Sequence, residues 1–424
     1  MRAGRYSFGI GDRFGCQGKA LLRAFVAARE AGLEITPVWN KSHREHSITH
    51  THPQSVRQEA DSAAGEIGWT GPYYVDADHV GLQNVDLFLD SSDFFTLDVA
   101  NFIGQPAAPA DIASFADKYR RYADRLATAG VEMPSATEGR QIELIARKFL
   151  LAIKEAGRIY RLIESSKGKG NFITEVSLDE SDESQSPTEL FFILAAIADE
   201  GIPVQTIAPK FSGRFLKGVD YEGDVAVFEK EFEQHIAVIG IAVREFGLPD
   251  NLKLSVHSGS DKFSLWEPIR RALERTGAGL HVKTAGTTWL EELAGLASVG
   301  EQGVKIAKTI YRQAWERRDE LCRPYAAVVA IDAAALPAPG DVQQWGAEQF
   351  ASTLAHDPCC PNYNRNFRQL LHVAYKIAAE MGEIFIRAIE EHESIVASRV
   401  TANILDRHLT RIFPIHANRN FSSL

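Results

Sequence analysis

Eight short apolar runs, alternating with longer stretches of helical periodicity, constrain this chain more than any other feature. The runs are Tyr6 to Ile10, Ile35 to Asn40, Tyr73 to Asp78, Phe94 to Val99, Phe172 to Ser177, Val204 to Ala208, Leu252 to His257 and Gly279 to Thr284. Between them lie Lys19 to Ala31, Pro187 to Asp199, Val225 to Phe246 and Ser264 to Thr276. Strands that read as near-continuous apolar runs are covered on both faces, as in a parallel sheet flanked by helices. Eight of them predict closure into an α/β fold of the (β/α)8 TIM barrel type rather than an open sheet. The helix over 187–199 carries its own start signal: Ser186 suits the N-cap and Pro187 the first helical position.

Two segments exceed a minimal barrel. Residues from about 110 to 166 read as a helical insertion after the fourth strand. From about 290 onward the chain reads as nearly all helix. The expected division is therefore a barrel catalytic domain over 1–290 and a helical C-terminal extension over 291–424, packed on the barrel. The acidic stretch Asp179-Glu180-Ser181-Asp182-Glu183-Ser184 reads as a solvated turn before the next helix.

Composition narrows the function. A formal net charge of -10 argues against a nucleic-acid binder, which would normally show a basic face. The longest apolar stretches, such as Phe191 to Ala198, fall far short of a membrane span. No apolar signal region precedes Tyr6, so a cytoplasmic location is expected. The four cysteines show no metal-finger spacing and read as reduced thiols.

In a parallel barrel the chemistry sits at the C-terminal ends of the strands. Collecting those ends gives Asp12 and Arg13, Asn40 and Lys41, Asp76 to His79, Asp98, Glu175, Lys210, His257, and His281 with Lys283. Carboxylates and imidazoles in one pocket suit a divalent ion such as Zn²⁺, Mn²⁺ or Ni²⁺. Each strand-end histidine can equally be a hydrogen-bonded structural residue, and Glu175 can pair with Lys210 or Lys283. Ser258-Gly259-Ser260-Asp261 follows His257; there, small residues let backbone N–H groups face an anion, and Ser260-Asp261 can open the next helix. The segment His43-Arg44-Glu45-His46 reads as a lid loop in which Lys41 and Arg44 grip an anion. Lys210-Phe211-Ser212-Gly213-Arg214, with Lys217 nearby, forms a second basic loop on the same rim. The glycine-rich Gly9 to Gly15 segment does not follow a dinucleotide pattern.

These residues together resemble the tagaturonate/fructuronate epimerase family of hexuronate catabolism. The resemblance is carried by Gly9 to Gly15, Pro37 to Ser42, Tyr74 to His79, Ser92 to Ala100, Ala208 to Phe211, His257 to Phe263 and Asn366 to Tyr375. Asp78-His79 and His257-Ser258-Gly259-Ser260 are also locally similar to the strand-end motifs of class II, metal-dependent aldolases. The resemblance implies a cytoplasmic, metal-dependent isomerase acting on a small sugar acid. It implies no nucleic-acid or membrane partner and leaves a homo-oligomer open. The two ketouronates differ at the carbon β to the ketone, where the C–H is not acidified. A retro-aldol cleavage to an enediolate and an aldehyde, followed by recondensation on the other face, meets that constraint.

On this reading Asp78 is the general base and Lys283 stabilises a developing oxyanion. His79, Glu175 and His257 are the expected metal ligands, with His281 as a fourth. Asn40, Lys41, Arg44, Asp76, Lys210, Ser258, Ser260, Asp261, Arg368 and His372 are the candidates for holding the substrate. The alternatives are a class II aldolase that releases its fragments, a ketohexose 4-epimerase, and a non-catalytic sugar-acid binding protein.

Overall fold

The computed structural model describes residues 1–122, 138–284 and 286–415. Its strands are β1 (Tyr6–Ile10), β2 (Thr36–Ser42), β3 (Tyr74–Val80), β4 (Phe94–Asp98), β5 (Ile173–Ser177), β6 (Thr206–Ala208), β7 (Lys253–His257) and β8 (Leu280–Lys283). They form a closed barrel in sequence order, and β1 pairs in parallel with both β2 and β8. The fold is the expected TIM barrel. β2 and β3 run past their expected ends, because Lys41 and Ser42 stay in register with Ala77 and Asp78.

Ala3, Val38, Phe94 and Ile173, with Tyr74 against them, plug the lower end of the barrel. The larger core lies between the strands and the outer helices. Helix Pro187–Asp199 begins as its sequence predicts: Ser186 and Glu189 form a reciprocal capping box, with Pro187 in the first turn.

The expected insertion contains helices Pro109–Tyr119 and Glu138–Lys167, and its 123–137 portion lies outside the described residues. The long helix packs on β4 and on helix Pro187–Asp199, so it takes the outer-layer place between β4 and β5. Past β8 the chain leaves the barrel. Trp289, Tyr311, Phe350, Phe367 and Phe385 centre a second, separate core. The chain then returns: Ala397, Val400, Ile404, Leu409, Ile412 and Phe413 join the barrel's own core. Helix Glu393–Ala402 packs against helix Gly18–Glu30, and Thr410–Ile412 packs against helix Phe263–Thr276. The residues after 290 thus contribute to both cores. Among the described residues, no helix is long and apolar enough to cross a membrane.

Candidate active site

A regular strand sends adjacent side chains to opposite faces, so Asp78 and His79 should not share a pocket. Here they do. The β3–β4 register shifts between Ala77 and Val80, and His79 takes a left-handed φ of 53°. The bulge turns His79 toward the same pocket as Asp78, which is how bulges re-aim side chains beside sites. Gly9 is the other local requirement, since a Cβ there would lie 2.9 Å from Lys283 Cγ and 3.2 Å from Asn40 Nδ2.

Lys283 is the hub of the pocket. Register sets it beside His257 on β7 and Gly9 on β1. Its Nζ is 2.6 Å from Asp76 Oδ2, 3.0 Å from Asp78 Oδ1 and 3.0 Å from Glu175 Oε1, and it also donates to Thr96 Oγ1. Burial opposes its charge, but the three carboxylates outweigh burial and hold its pKa well above the ordinary lysine value. The two aspartates are pushed apart. Burial raises Asp76 to about 7 against the pull of Lys283. Burial also acts to raise Asp78, but Lys283, His79 and His257 overcome it and hold that carboxyl below its ordinary range. Asp78 is therefore the ionised member of the pair.

His257 stands between two carboxylates. Its Nε2 is 2.8 Å from Glu175 Oε1 and its Nδ1 is 3.1 Å from Asp179 Oδ1. Burial lowers its pKa, but Asp179 and Glu175 raise it further, to about 9. His79 Nε2 lies 3.8 Å from Asp78 Oδ1, and its Nδ1 lies 3.8 Å from Asp98 Oδ2. Among the described residues, two groups have ligand atoms mutually within 4.8 Å: His79 with Asp179 and His257, and His79 with Asp98 and Glu180. Imidazole with carboxylate is a donor set for Zn²⁺ or Mn²⁺, and His79 Nδ1 is buried with no hydrogen-bond partner. The residues fit a divalent ion.

The set differs from the expected one at two places. Asp179 stands beside His257, although its acidic stretch reads as a solvated turn. Ser177 Oγ donates to Asp179, tying it in at the end of β5. The available signal was its spacing from Glu175, which places it just past the strand end. Glu175 holds the opposite nitrogen of His257, the geometry of a carboxylate that orients a ligand. His281 lies outside both groups. Its Nδ1 is 2.9 Å from Ser7 Oγ and its ring lies against Phe94, so it sits one layer deeper in the barrel than Lys283.

The rim also departs from expectation. His43–Thr49 is a helix with a Ser42–Glu45 capping box, not a loop. Lys41 belongs to β2, and its Nζ donates to the Arg13 carbonyl at 2.6 Å. Lys210 Nζ donates to the Ser181 carbonyl, and Arg214 pairs with Glu222 at 3.3 Å. The N–H groups of Ser258 and Gly259 both donate to the Lys283 carbonyl, so they do not face an anion, and Ser258 Oγ donates there too. Ser260 Oγ accepts from the Gly218 N–H and from Lys262 Nζ.

Asp261 does not open the next helix, which begins at Phe263. Its carboxylate is fully buried and takes Arg368 Nη2 at 2.7 Å, Thr287 Oγ1 at 2.8 Å, His356 Nδ1 at 3.1 Å and His408 Nε2 at 3.3 Å. Arg368 spends its remaining groups on the carbonyls of Gly218 and Leu354. This pair clamps the C-terminal helices to the barrel and is not open to a substrate. His372 is buried against Gly286 and Gly218, and both ring nitrogens lack partners. Burial, with Arg13 and Lys217 adding to it, keeps that imidazole neutral. Asn40 Oδ1 and Glu175 Oε2 are likewise buried acceptors with no partner. Arg44 is exposed, its guanidinium carbon 5.5 Å from the Tyr325 ring centroid.

Comparison with known proteins agrees with this geometry. The family model of UxaE, tagaturonate epimerase, matches residues 1–412. The tagaturonate/fructuronate epimerase of Thermotoga maritima is 27% identical over 430 residues, covering 96% of this chain and 81% of the relative. A glycerol-complexed crystal structure of fructuronate-tagaturonate epimerase UxaE from Cohnella laeviribosi superposes with a TM-score of 0.78 at 25% identity, covering 97% of this chain and 82% of that one. The native crystal structure of the same enzyme gives 0.75 at 23% identity and shares the fold. A barrel whose mouth gathers an ionised aspartate, a buried lysine and a histidine–carboxylate set, matched by one family model over nearly its whole length, belongs to the tagaturonate epimerase family and is an isomerase-type enzyme.

Proposed function

We propose that this protein interconverts D-tagaturonate and D-fructuronate by carbon–carbon cleavage and recondensation, with a divalent ion (Zn²⁺, Mn²⁺ or Ni²⁺) held by His79, Asp179 and His257. The observation that carries the reading is Asp78, its Oδ1 3.0 Å from Lys283 Nζ and beside His79, which the β3 bulge turns into the same pocket. A bound ion supplies Lewis-acid polarisation of the ketone, worth several kcal/mol of barrier. Asp78 takes the proton from the β hydroxyl on its oxygen remote from Lys283. The bond between the α and β carbons breaks, its electron pair passing to the ketone fragment as an enediolate while the β carbon becomes an aldehyde. The aldehyde turns, the enediolate attacks its other face, and Asp78 returns the proton to the new hydroxyl.

Lys283 has its three N–H groups committed to protein oxygens, so its part is to keep Asp78 ionised rather than to touch substrate. Glu175 orients His257. Asn40 Oδ1 and Glu175 Oε2 are available to accept from substrate hydroxyls.

The test is a metal-stripped incubation with D-tagaturonate in D₂O, followed by divalent metal add-back. The expected result is D-fructuronate only after add-back, without deuterium at the inverted carbon. Solvent deuterium entering there at the rate of turnover would overturn the cleavage route. Full activity before add-back would overturn metal dependence, and stoichiometric release of an aldehyde would make the enzyme an aldolase.

A further inference from the structure

We propose that Lys217, with Arg13 and Arg44 around the Tyr325–Tyr375 hydroxyl pair, forms a carboxylate subsite that retains the aldehyde fragment between cleavage and recondensation; this rests on the epimerase reading above. The chemistry sets the need. Cleaving a six-carbon ketouronate between the α and β carbons leaves the ketone carbons on one fragment and the carboxylate on the other. The ketone fragment is a dihydroxyacetone enediolate. The other fragment is 2-hydroxy-3-oxopropanoate, a small aldehyde that must turn without escaping. Its carboxylate is the only charged handle.

Lys217 is placed for that handle. A Cβ built on Gly259 would lie 3.5 Å from its Nζ, so the ammonium stands over the turn that leaves His257. Its backbone is pinned on both sides: Lys217 N–H donates to the Val328 carbonyl at 2.8 Å and Gly218 N–H to Ser260 Oγ at 2.9 Å. Among the described residues, no carboxylate lies within ion-pair distance of Lys217 or Arg44, whereas Arg13 has Glu45 at 3.3 Å. Lys217 Nζ is 5.9 Å and the Arg44 guanidinium carbon 5.5 Å from the Tyr325 ring centroid. The Arg13 guanidinium carbon is 4.3 Å from the Tyr375 ring centroid, and the two tyrosine hydroxyls are 2.7 Å apart. Three cations therefore gather about the Tyr325–Tyr375 pair, and among the described residues only Glu45 stands within ion-pair distance of any of them. Burial, then Arg13, lowers the Lys217 pKa, with Glu45 and Glu180 acting the other way. An arriving carboxylate relieves both the burial and the like-charge repulsion. The C-terminal region thereby contributes to the site through Tyr325 and Tyr375, which lie far from the barrel strands in sequence.

The experiment uses the metal-loaded full chain and its Lys217→Met and Lys217→Arg variants. Calorimetry measures binding of D-tagaturonate and of D-tagatose, its neutral counterpart. Turnover assays measure D-fructuronate together with free dihydroxyacetone and 2-hydroxy-3-oxopropanoate. Lys217→Met should weaken D-tagaturonate binding roughly 10- to 100-fold, leave D-tagatose binding within about twofold, and raise the ratio of released fragments to epimer. Lys217→Arg should restore retention. Unchanged D-tagaturonate binding in Lys217→Met overturns the subsite. So does equal weakening for both sugars, which marks a merely structural lysine. Weakened binding with no rise in released fragments overturns the fragment-holding role. A wild type that prefers D-tagaturonate through Lys217 but forms no D-fructuronate would sink the epimerase reading while leaving the subsite standing.

Discussion

Asp78 carries the sharpest residue-level expectation. Asp78→Asn keeps the shape but loses the proton acceptor, so kcat should fall roughly 10²- to 10⁴-fold while metal content stays at the wild-type level. The proposed metal site gives two neighbouring carboxylates different roles. Asp179→Asn should strip metal on dialysis, as should His257→Ala. Glu175→Gln, acting through His257, should weaken metal affinity by about 10- to 100-fold and no more. Elemental analysis after dialysis reads all three, and wild-type metal content in Asp179→Asn would return the ligand role to Glu175. At this scale the sequence was legible wherever a residue ends a strand: Asp78, His79 and His257 all lie at the mouth. His281 lies deeper than the mouth, because His281 and Lys283 share a face by the period of two but differ in depth by about 7 Å. The sequence was silent on Asp179, since an acidic run looks solvated unless its strand end is known to enter a pocket.

Among the elements, the strand-to-helix alternation was readable because buried strands leave uninterrupted apolar runs. The helix at His43–Thr49 was readable too. Its Ser42–Glu45 capping box stands in the sequence, where a lid loop was expected. The bulge in β3 was not readable, since nothing in Asp78-His79 announces a left-handed φ. The Asp261 clamp was equally hidden, because its partners come from helices more than a hundred positions apart in some cases, as with Arg368 at 107. Burial acts to raise the Asp261 pKa, but its hydrogen bonds to His356 and His408 and the charge of Arg368 hold it well below the ordinary carboxylate range. A depressed folded pKa means that the stabilisation is present above 3.8 and is lost only as pH falls through the lower folded value. Asp261→Asn should therefore cost roughly 3–5 kcal/mol at pH 7, because it leaves Arg368 buried and unpaired. Denaturant unfolding would measure this, and a cost under about 1 kcal/mol would mean that the clamp is decorative.

The whole molecule is where sequence periodicity says least, since it shows that a segment is helical but not which surface receives it. An extension packed on a finished barrel should be removable. This chain does something else. Trp289 and the residues after it build a second core, yet Val400, Ile404, Leu409, Ile412 and Phe413 re-enter the first one. The tail lies against helices Gly18–Glu30 and Phe263–Thr276, the outer-layer place that the helix after β8 vacates by leaving with the second core. Removing it would uncover Phe8, which packs edge-on against both Phe413 and His408, together with Leu21 and Phe25. Each large side chain taken out of such a core is worth about 2–5 kcal/mol, and a domain's total stability is about 5–15 kcal/mol. Losing five at once exceeds that margin. A chain ending at Ser298 should therefore fail to give a cooperatively folded barrel, with lost near-ultraviolet circular dichroism and no sharp thermal transition. A well-folded, monodisperse 1–298 fragment would show that the barrel closes unaided and that the C-terminal return adds only to the rim.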